Sequence, residues 1–298
     1  MTVAFAPMLT DRSRRPLIVA AVTPLTDGGV DVDIPAIGPY AAFLQSNGAD
    51  GVFACGTTGE GVLLRLDERR QVAEAFREAT TGVLVVHAGA QTTADTVALA
   101  THAREIGADS VAVIAPPYFP LDDASLTAHF VAAARAAAPV PFYCYAFTAR
   151  SGYPLPVDVI RRIGESVDNL AGLKVSEAPF DRVEPYLDLG LPVLIGNEPL
   201  LTAGIARGAI GTVSGMAAAF PDVVRAALDS PNEAARERLT DLRAAMEASG
   251  QFIAAAKHVL GGRDVPVRPD MRAPLRALTE AEITELDAAV AAFLPTLA

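Results

Sequence analysis

The chain has 298 residues, 51% of them hydrophobic, and a formal net charge of −11. That length fits one large α/β domain or two small ones, with enough apolar content for a sizeable core. An acidic chain without a basic patch is a poor partner for nucleic acid or an anionic membrane surface, although a local pocket can still be positive.

Residues 1–15, with Arg12, Arg14 and Arg15, read as a loose extension. The apolar run that follows is short and ends at Thr23-Pro24, so it reads as a first strand rather than a signal peptide. The most apolar stretch, Val131 to Phe147, is broken by Arg135, Pro139 and Pro141 and does not read as a membrane span. Two cysteines, Cys55 and Cys144, lie in apolar strand-like runs; they make no disulfide framework and suit a reducing cytoplasm.

Short runs rich in Val, Ile and Ala alternate with longer amphipathic stretches. Strands are expected over 17–22, 51–55, 83–87, 110–115, 141–145, 170–174, 192–196 and 209–213, with helices such as 67–79 and 92–106 between them. Asn47-Gly48-Ala49-Asp50-Gly51-Val52 and Ile106-Gly107-Ala108-Asp109-Ser110-Val111 form a weak repeat of helix, glycine cap and strand. Alternating strands and helices imply parallel pairing with right-handed crossovers. Eight such units, with no glycine-rich dinucleotide fingerprint after the first strand, favour a closed (β/α)8 TIM barrel over a doubly wound sheet. Residues beyond about 230 read as all-helical, with apolar faces at Leu239-Leu242-Met246 and Leu286-Val290-Phe293. The expected division is an extension over 1–15, a barrel over 16–228 and additional C-terminal helices over 229–298.

Of 24 basic residues only Lys174 and Lys257 are lysines. A lysine kept against so strong a preference for arginine can be kept for its amine, which can be neutral near pH 7 and attack a carbonyl; a guanidinium cannot. Lys174 closes the apolar run Leu170-Ala171-Gly172-Leu173-Lys174, the place for a Schiff-base lysine at a strand end. The plainer reading is a strand-end lysine that reaches water. Lys257, in Ala254-Ala255-Ala256-Lys257-His258, reads as an ordinary surface or packing lysine.

In a barrel of this kind chemistry collects at the C-terminal ends of the strands. After the second strand, Gly56-Thr57-Thr58-Gly59-Glu60 forms a turn whose backbone N–H groups can cradle a carboxylate and whose hydroxyls add donors or a relay; alone it is only a polar turn. In Phe142-Tyr143-Cys144-Tyr145, alternation puts both tyrosines on one side, with Tyr145 nearer the rim. An amine, a phenol and two hydroxyls make a coherent set: the amine condenses with a 2-oxo acid, the phenol moves protons, and the turn holds the carboxylate.

The chain resembles the dihydrodipicolinate synthase / N-acetylneuraminate lyase family of class I aldolases. The residues that carry the resemblance are Thr23-Pro24, Gly56-Thr57-Thr58-Gly59-Glu60, Pro116-Pro117-Tyr118, Tyr145 with Arg150 and Gly152, Gly172-Leu173-Lys174, the 208–214 glycine run, and the tail from Arg268 to Leu275. The resemblance implies that Lys174 forms the Schiff base and that Tyr145 assists imine formation and proton transfer. It implies a relay role for Thr57, carboxylate binding for Thr58, and backbone lining of the pocket for Gly196 and Val213. Tyr118 resembles an aromatic residue that crosses a subunit contact to complete a relay, which implies a homo-oligomer, dimer or tetramer. The implied partners are pyruvate or another 2-oxo acid and an aldehyde, with no cofactor and no metal.

The family pattern places Asn, an apolar residue and Pro after the tyrosine; here Ala146-Phe147-Thr148 follow. Arg150 stands where synthases hold an aldehyde's carboxylate and can clamp an anion bidentately, or it serves a local salt bridge. Gly61-Val62-Leu63-Leu64-Arg65-Leu66 and Pro117 replace residues of lysine-inhibited synthases, so lysine feedback is not expected. These departures favour an aldolase acting on a sugar acid or related 2-oxo acid over 4-hydroxy-tetrahydrodipicolinate synthase. A Schiff-base dehydratase or deaminase, and a non-catalytic 2-oxo acid sensor, are the alternatives. His87 reads as a hydrogen-bonded polar residue at the barrel top, and Glu198 either as a polar group by the pocket or as a helix opener. No two histidines stand at metal-ligand spacing.

Overall fold

The computed structural model describes residues 14–294. The eight strands are β1 (Leu17–Ala20), β2 (Gly51–Ala54), β3 (Val83–His87), β4 (Ser110–Ile114), β5 (Phe142–Ala146), β6 (Leu170–Val175), β7 (Val193–Ile195) and β8 (Gly211–Ser214). All pair in parallel in chain order, and β1 also pairs with β8, closing the barrel. The expected (β/α)8 barrel with additional C-terminal helices is the observed architecture. Most strand limits fall within one residue of expectation. The fifth begins at Phe142 rather than at Pro141, which has no N–H to give the ladder.

The helices are α1 (Ile34–Ser46), α2 (Leu66–Ala79), α3 (Thr93–Glu105), α4 (Asp123–Ala137), the short α5 (Thr148–Ser151), α6 (Val157–Ser166), α7 (Glu184–Leu187) and α8 (Leu201–Ala206). Then come α9 (Pro221–Asp229), α10 (Glu233–Glu247), α11 (Phe252–Gly262) and α12 (Glu280–Val290). The helix expected over 92–106 is α3, with Thr92 as its N-cap: the Thr92 hydroxyl accepts from Asp95 N at 3.0 Å. α10 and α12 bury the expected apolar residues Leu239, Leu242, Met246, Leu286 and Val290.

Two apolar layers result from strand alternation. Outward-facing side chains such as Val52, Val111 and Leu173 pack under the helices. Inward-facing Ile18, Phe53, Val83, Val85, Ala112, Tyr143, Tyr145 and Val213 fill the barrel. The β5–β6 pairing jumps from Phe142↔Leu170 to Tyr143↔Gly172, so Ala171 is an extra residue in β6. Such a bulge shifts the in–out alternation by one. It brings Gly172 and then Lys174 to the interior while Leu173 stays outside. Gly172 has to be glycine: a Cβ there would lie 2.6 Å from the Pro192 carbonyl oxygen and 2.7 Å from the Tyr143 ring.

Of the expected extension, residues 1–13 lie outside the described residues. Arg14, 3.1 Å from Asp50, and Arg15, donating to the Leu228 carbonyl at 3.1 Å, are tied to the barrel floor. No helix among the described residues is long and apolar enough to cross a membrane.

Candidate active site

Lys174 on β6 and Tyr145 on β5 are register partners. The lysine is 4% exposed, and its Nζ lies 4.0 Å from the centroids of both the Tyr145 and Phe53 rings. Burial penalises the ammonium and lowers its pKa to about 7; the Glu198 carboxylate opposes the shift without cancelling it. An amine in that state is partly neutral at pH 7 and is a competent nucleophile.

The Tyr145 phenol is pushed up to about 12, mainly by burial, while hydrogen bonds from the Ser176 and Thr57 side chains act the other way. It is therefore a neutral phenol near pH 7, with the Thr57 and Ser176 side chains beside it. Its ring meets His87 and Phe53 edge-on at 6.0 and 6.1 Å and leans against Phe147 at 5.9 Å.

Thr57 and Thr58 lie in the turn between β2 and α2. Gly61 N donates to the Gly56 carbonyl at 3.0 Å, and the Thr23 hydroxyl donates to the Gly59 carbonyl at 2.6 Å, closing the turn over the barrel mouth. Thr58 is buried and reaches toward the end of β8: a Cβ at Gly215 would sit 3.2 Å from its hydroxyl. Val213 lines the interior on β8, and Gly196, just past β7, lies against Ser176 with no room for a side chain.

Two sequence-predicted residues lie farther out. Arg150 is exposed on α5, its guanidinium 5.6 Å from the centroid of the Phe147 ring. It has no ion-pair partner among the described residues, so the local salt bridge is not formed. Tyr118 is 83% exposed, with φ of 82° and its ring edge-on to Phe119 at 4.7 Å. Within one chain nothing brings it to Lys174.

Phe53, Ser176 and Glu177 were not singled out by sequence reasoning; Glu198, His87 and Lys257 were. Phe53 faces inward by strand alternation. Ser176 follows Lys174 by two residues and meets the phenol. Glu177, buried, accepts from both the N–H and the hydroxyl of Thr148, at 2.7 and 2.9 Å, and so anchors the segment after Tyr145. Glu198 opens a 3-10 turn and is also a buried polar group by the pocket. It accepts from Ser214 Oγ at 2.7 Å, Met216 N at 3.0 Å and an Arg243 nitrogen at 2.9 Å. Among the described residues only one nitrogen of His87 has a partner: Nδ1 stands 3.1 Å from the Cys55 carbonyl and so carries the proton, while Nε2 is buried without one. Burial, with Arg69 and Lys174 nearby, holds the imidazole pKa well below its ordinary value. Lys257 is not a surface lysine: it is fully buried and ion-paired with Glu60. No group of three or more His, Cys, Asp or Glu among the described residues could hold a metal ion.

A model of the dihydrodipicolinate synthetase family matches residues 13–293. An uncharacterized DapA-like lyase of Halobacterium salinarum is 33% identical over 285 residues, spanning 92% of each chain. The 4-hydroxy-tetrahydrodipicolinate synthase of Syntrophus aciditrophicus is 31% identical over 278 residues, 88% of this chain and 92% of that one. Among solved structures, the N-acetylneuraminate lyase of Proteus mirabilis superposes with a TM-score of 0.85 at 27% identity, covering 94% of this chain and 99% of its own. The chain belongs to the dihydrodipicolinate synthetase family and is a lyase of the class I aldolase type.

Proposed function

We propose that Lys174 forms a Schiff base with pyruvate or another 2-oxo acid, and that the enzyme makes or breaks a C–C bond beside it, on a sugar-acid or related substrate. The observation that carries the reading is the depressed amine of Lys174 lying against the Tyr145 ring inside the barrel mouth. The neutral amine adds to the ketone carbon, and the carbinolamine loses water to give the imine. In the cleavage direction the aldol hydroxyl gives up its proton, the C–C bond breaks, and its electron pair enters the protonated imine to leave an enamine and an aldehyde. Protonation of the enamine carbon and hydrolysis of the imine release pyruvate and restore the lysine. Condensation runs the same steps backwards.

In this reading Tyr145, with the Thr57 and Ser176 side chains beside it, moves the protons. Thr58 and the turn around it bind the carboxylate, with Gly196 and Val213 lining the pocket. Tyr118, exposed on a single chain, completes the relay from a second copy. A second reading, 4-hydroxy-tetrahydrodipicolinate synthase, is favoured by the unpaired guanidinium of Arg150, which suits an aldehyde bearing a carboxylate. Product analysis separates these, and also separates cleavage, which yields an aldehyde, from dehydration, which keeps all carbons in one product.

The test is incubation with pyruvate and borohydride, followed by intact-mass measurement and peptide mapping. One reduced pyruvyl group on Lys174 is expected. A folded protein that gains no adduct with pyruvate or with longer 2-oxo acids would sink the proposal.

A further inference from the structure

The turn that carries Thr57 and Thr58 is bounded by two non-glycine residues in the left-handed region, Cys55 at φ 58° and Glu60 at φ 54°. Each such residue costs about 1 kcal/mol or more and persists only where its surroundings hold it. On the Cys55 side the holder is His87, through the carbonyl contact described above. On the Glu60 side it comes from the far end of the chain. Lys257 Nζ on α11 donates to Glu60 Oε1 at 2.6 Å and to the Asp270 carbonyl at 2.8 Å, and Arg272 N donates to Glu60 Oε2 at 2.8 Å. Both charged side chains are 0% exposed.

A fully buried ion pair is weak evidence for stability, because desolvating two charges offsets most of their attraction, and apolar replacements often do as well. What the pair supplies is geometry. The lysine ammonium serves Glu60 and the Asp270 carbonyl from a single nitrogen, a compact point donor on a flexible stem. In a chain that uses arginine nearly everywhere else, one lysine lies inside the barrel against Tyr145 and the other is bonded to Glu60, at the end of the turn that carries Thr57 and Thr58.

We propose that Lys257 and Glu60 are positioning residues for the reaction: their ion pair fixes the Thr57-Thr58 turn in its carboxylate-binding shape and ties it to the 270–272 segment. The inference rests on the proposed Schiff-base reading.

The test is the double variant Glu60→Gln/Lys257→Met, which removes both charges at similar volume and leaves no orphaned ion. The expected result is a folded protein in which KM for pyruvate rises about tenfold or more while kcat changes only a few-fold, the mark of lost ground-state binding. A variant with a shifted denaturation midpoint but unchanged KM and kcat overturns the proposal, since a merely structural brace would do that. Should the double variant not fold, hydrogen exchange in the wild-type protein decides. Trapping the pyruvyl adduct should slow exchange of the Arg272 amide, and an unchanged rate overturns the proposal. A wild-type protein that forms no adduct at Lys174 removes the underlying reading and this inference together. An adduct in the wild type with unaltered kinetics in the double variant removes this inference alone.

Discussion

Lys174 Nζ sits 4.0 Å from the centroid of the Tyr145 ring, on a strand whose bulge at Ala171 turns the lysine inward. The amine is thus held beside an aromatic face, away from water, next to the phenol that would exchange protons with it. That placement costs stability. The folded-state pKa is about 7, against roughly 10.4 for an unfolded lysine. Between those values the unfolded chain binds a proton that the folded chain does not, so stability rises with pH across that window. Below about pH 7 both states are protonated and the full cost of the buried ammonium is present, on the order of a few kcal/mol. Lys174→Met should therefore be inactive, and more stable than the wild type by most at pH 6, with the advantage shrinking toward pH 10. Urea denaturation of both proteins at several pH values measures the difference; a constant difference would contradict the depressed pKa. Imine formation in the wild type should rise with pH through about 7 as the amine becomes neutral.

Tyr145→Phe should slow turnover by roughly 100- to 10,000-fold, the usual size of a general acid–base contribution. The ring remains, so the contacts with Lys174, Phe53 and His87 remain with it. With the phenol pushed up to about 12, no ionisation of Tyr145 should be seen in the rate profile below about pH 11. Steady-state kinetics beside a circular dichroism melt check both points. Wild-type turnover in the variant would move proton transfer to another group.

The segment after Tyr145 departs from the family pattern, and the structure gives that departure a physical basis. A proline at position 148 would have no N–H; Thr148 uses its N–H and its hydroxyl to bond the buried Glu177. Glu177→Ala should cost about 1–3 kcal/mol by leaving Thr148 without its partner. It should also lower kcat/KM by about tenfold or more, because Phe147 and Arg150 ride on the released segment. Glu177→Gln, which still presents an acceptor oxygen, should recover most of both losses. Equal losses in the two variants would point to the charge of Glu177 rather than to its bonds with Thr148.

The fold was legible because its signal is local. Apolar runs of four to six residues between amphipathic stretches, such as Val83–His87 before Thr93–Glu105, state the alternation directly. The reactive strand ends were legible for the same reason, each being a short motif on one element. What sequence could not supply is whatever depends on pairing. The extra residue Ala171 is visible only once β5 and β6 are aligned, yet it decides which way Lys174 points. Between the surface and packing readings of Lys257 the sequence could not choose, because its partner, Glu60, is 197 residues away. Ser176 and Glu177 looked like ordinary residues after a strand until Tyr145 and Thr148 were placed beside them.

Arg150 offers the sharpest prediction about substrate choice. Its guanidinium is exposed, rests on the face of Phe147 and has no carboxylate partner among the described residues. Removing it should change stability by no more than about 0.5 kcal/mol, as for an ordinary surface site. Its fork is free to take a carboxylate bidentately, and loss of such a charge-assisted contact is worth about 1.5–3 kcal/mol. Arg150→Ala should therefore raise KM roughly tenfold or more for aldehydes that carry a distal carboxylate, and leave uncharged aldehydes of similar size unaffected. Arg150→Lys keeps the charge without the fork and should recover only part of the loss. A panel of paired charged and neutral aldehydes, assayed at saturating pyruvate, gives the comparison. Equal effects on both classes would show that Arg150 acts on the segment through Phe147 and not on the substrate's charge.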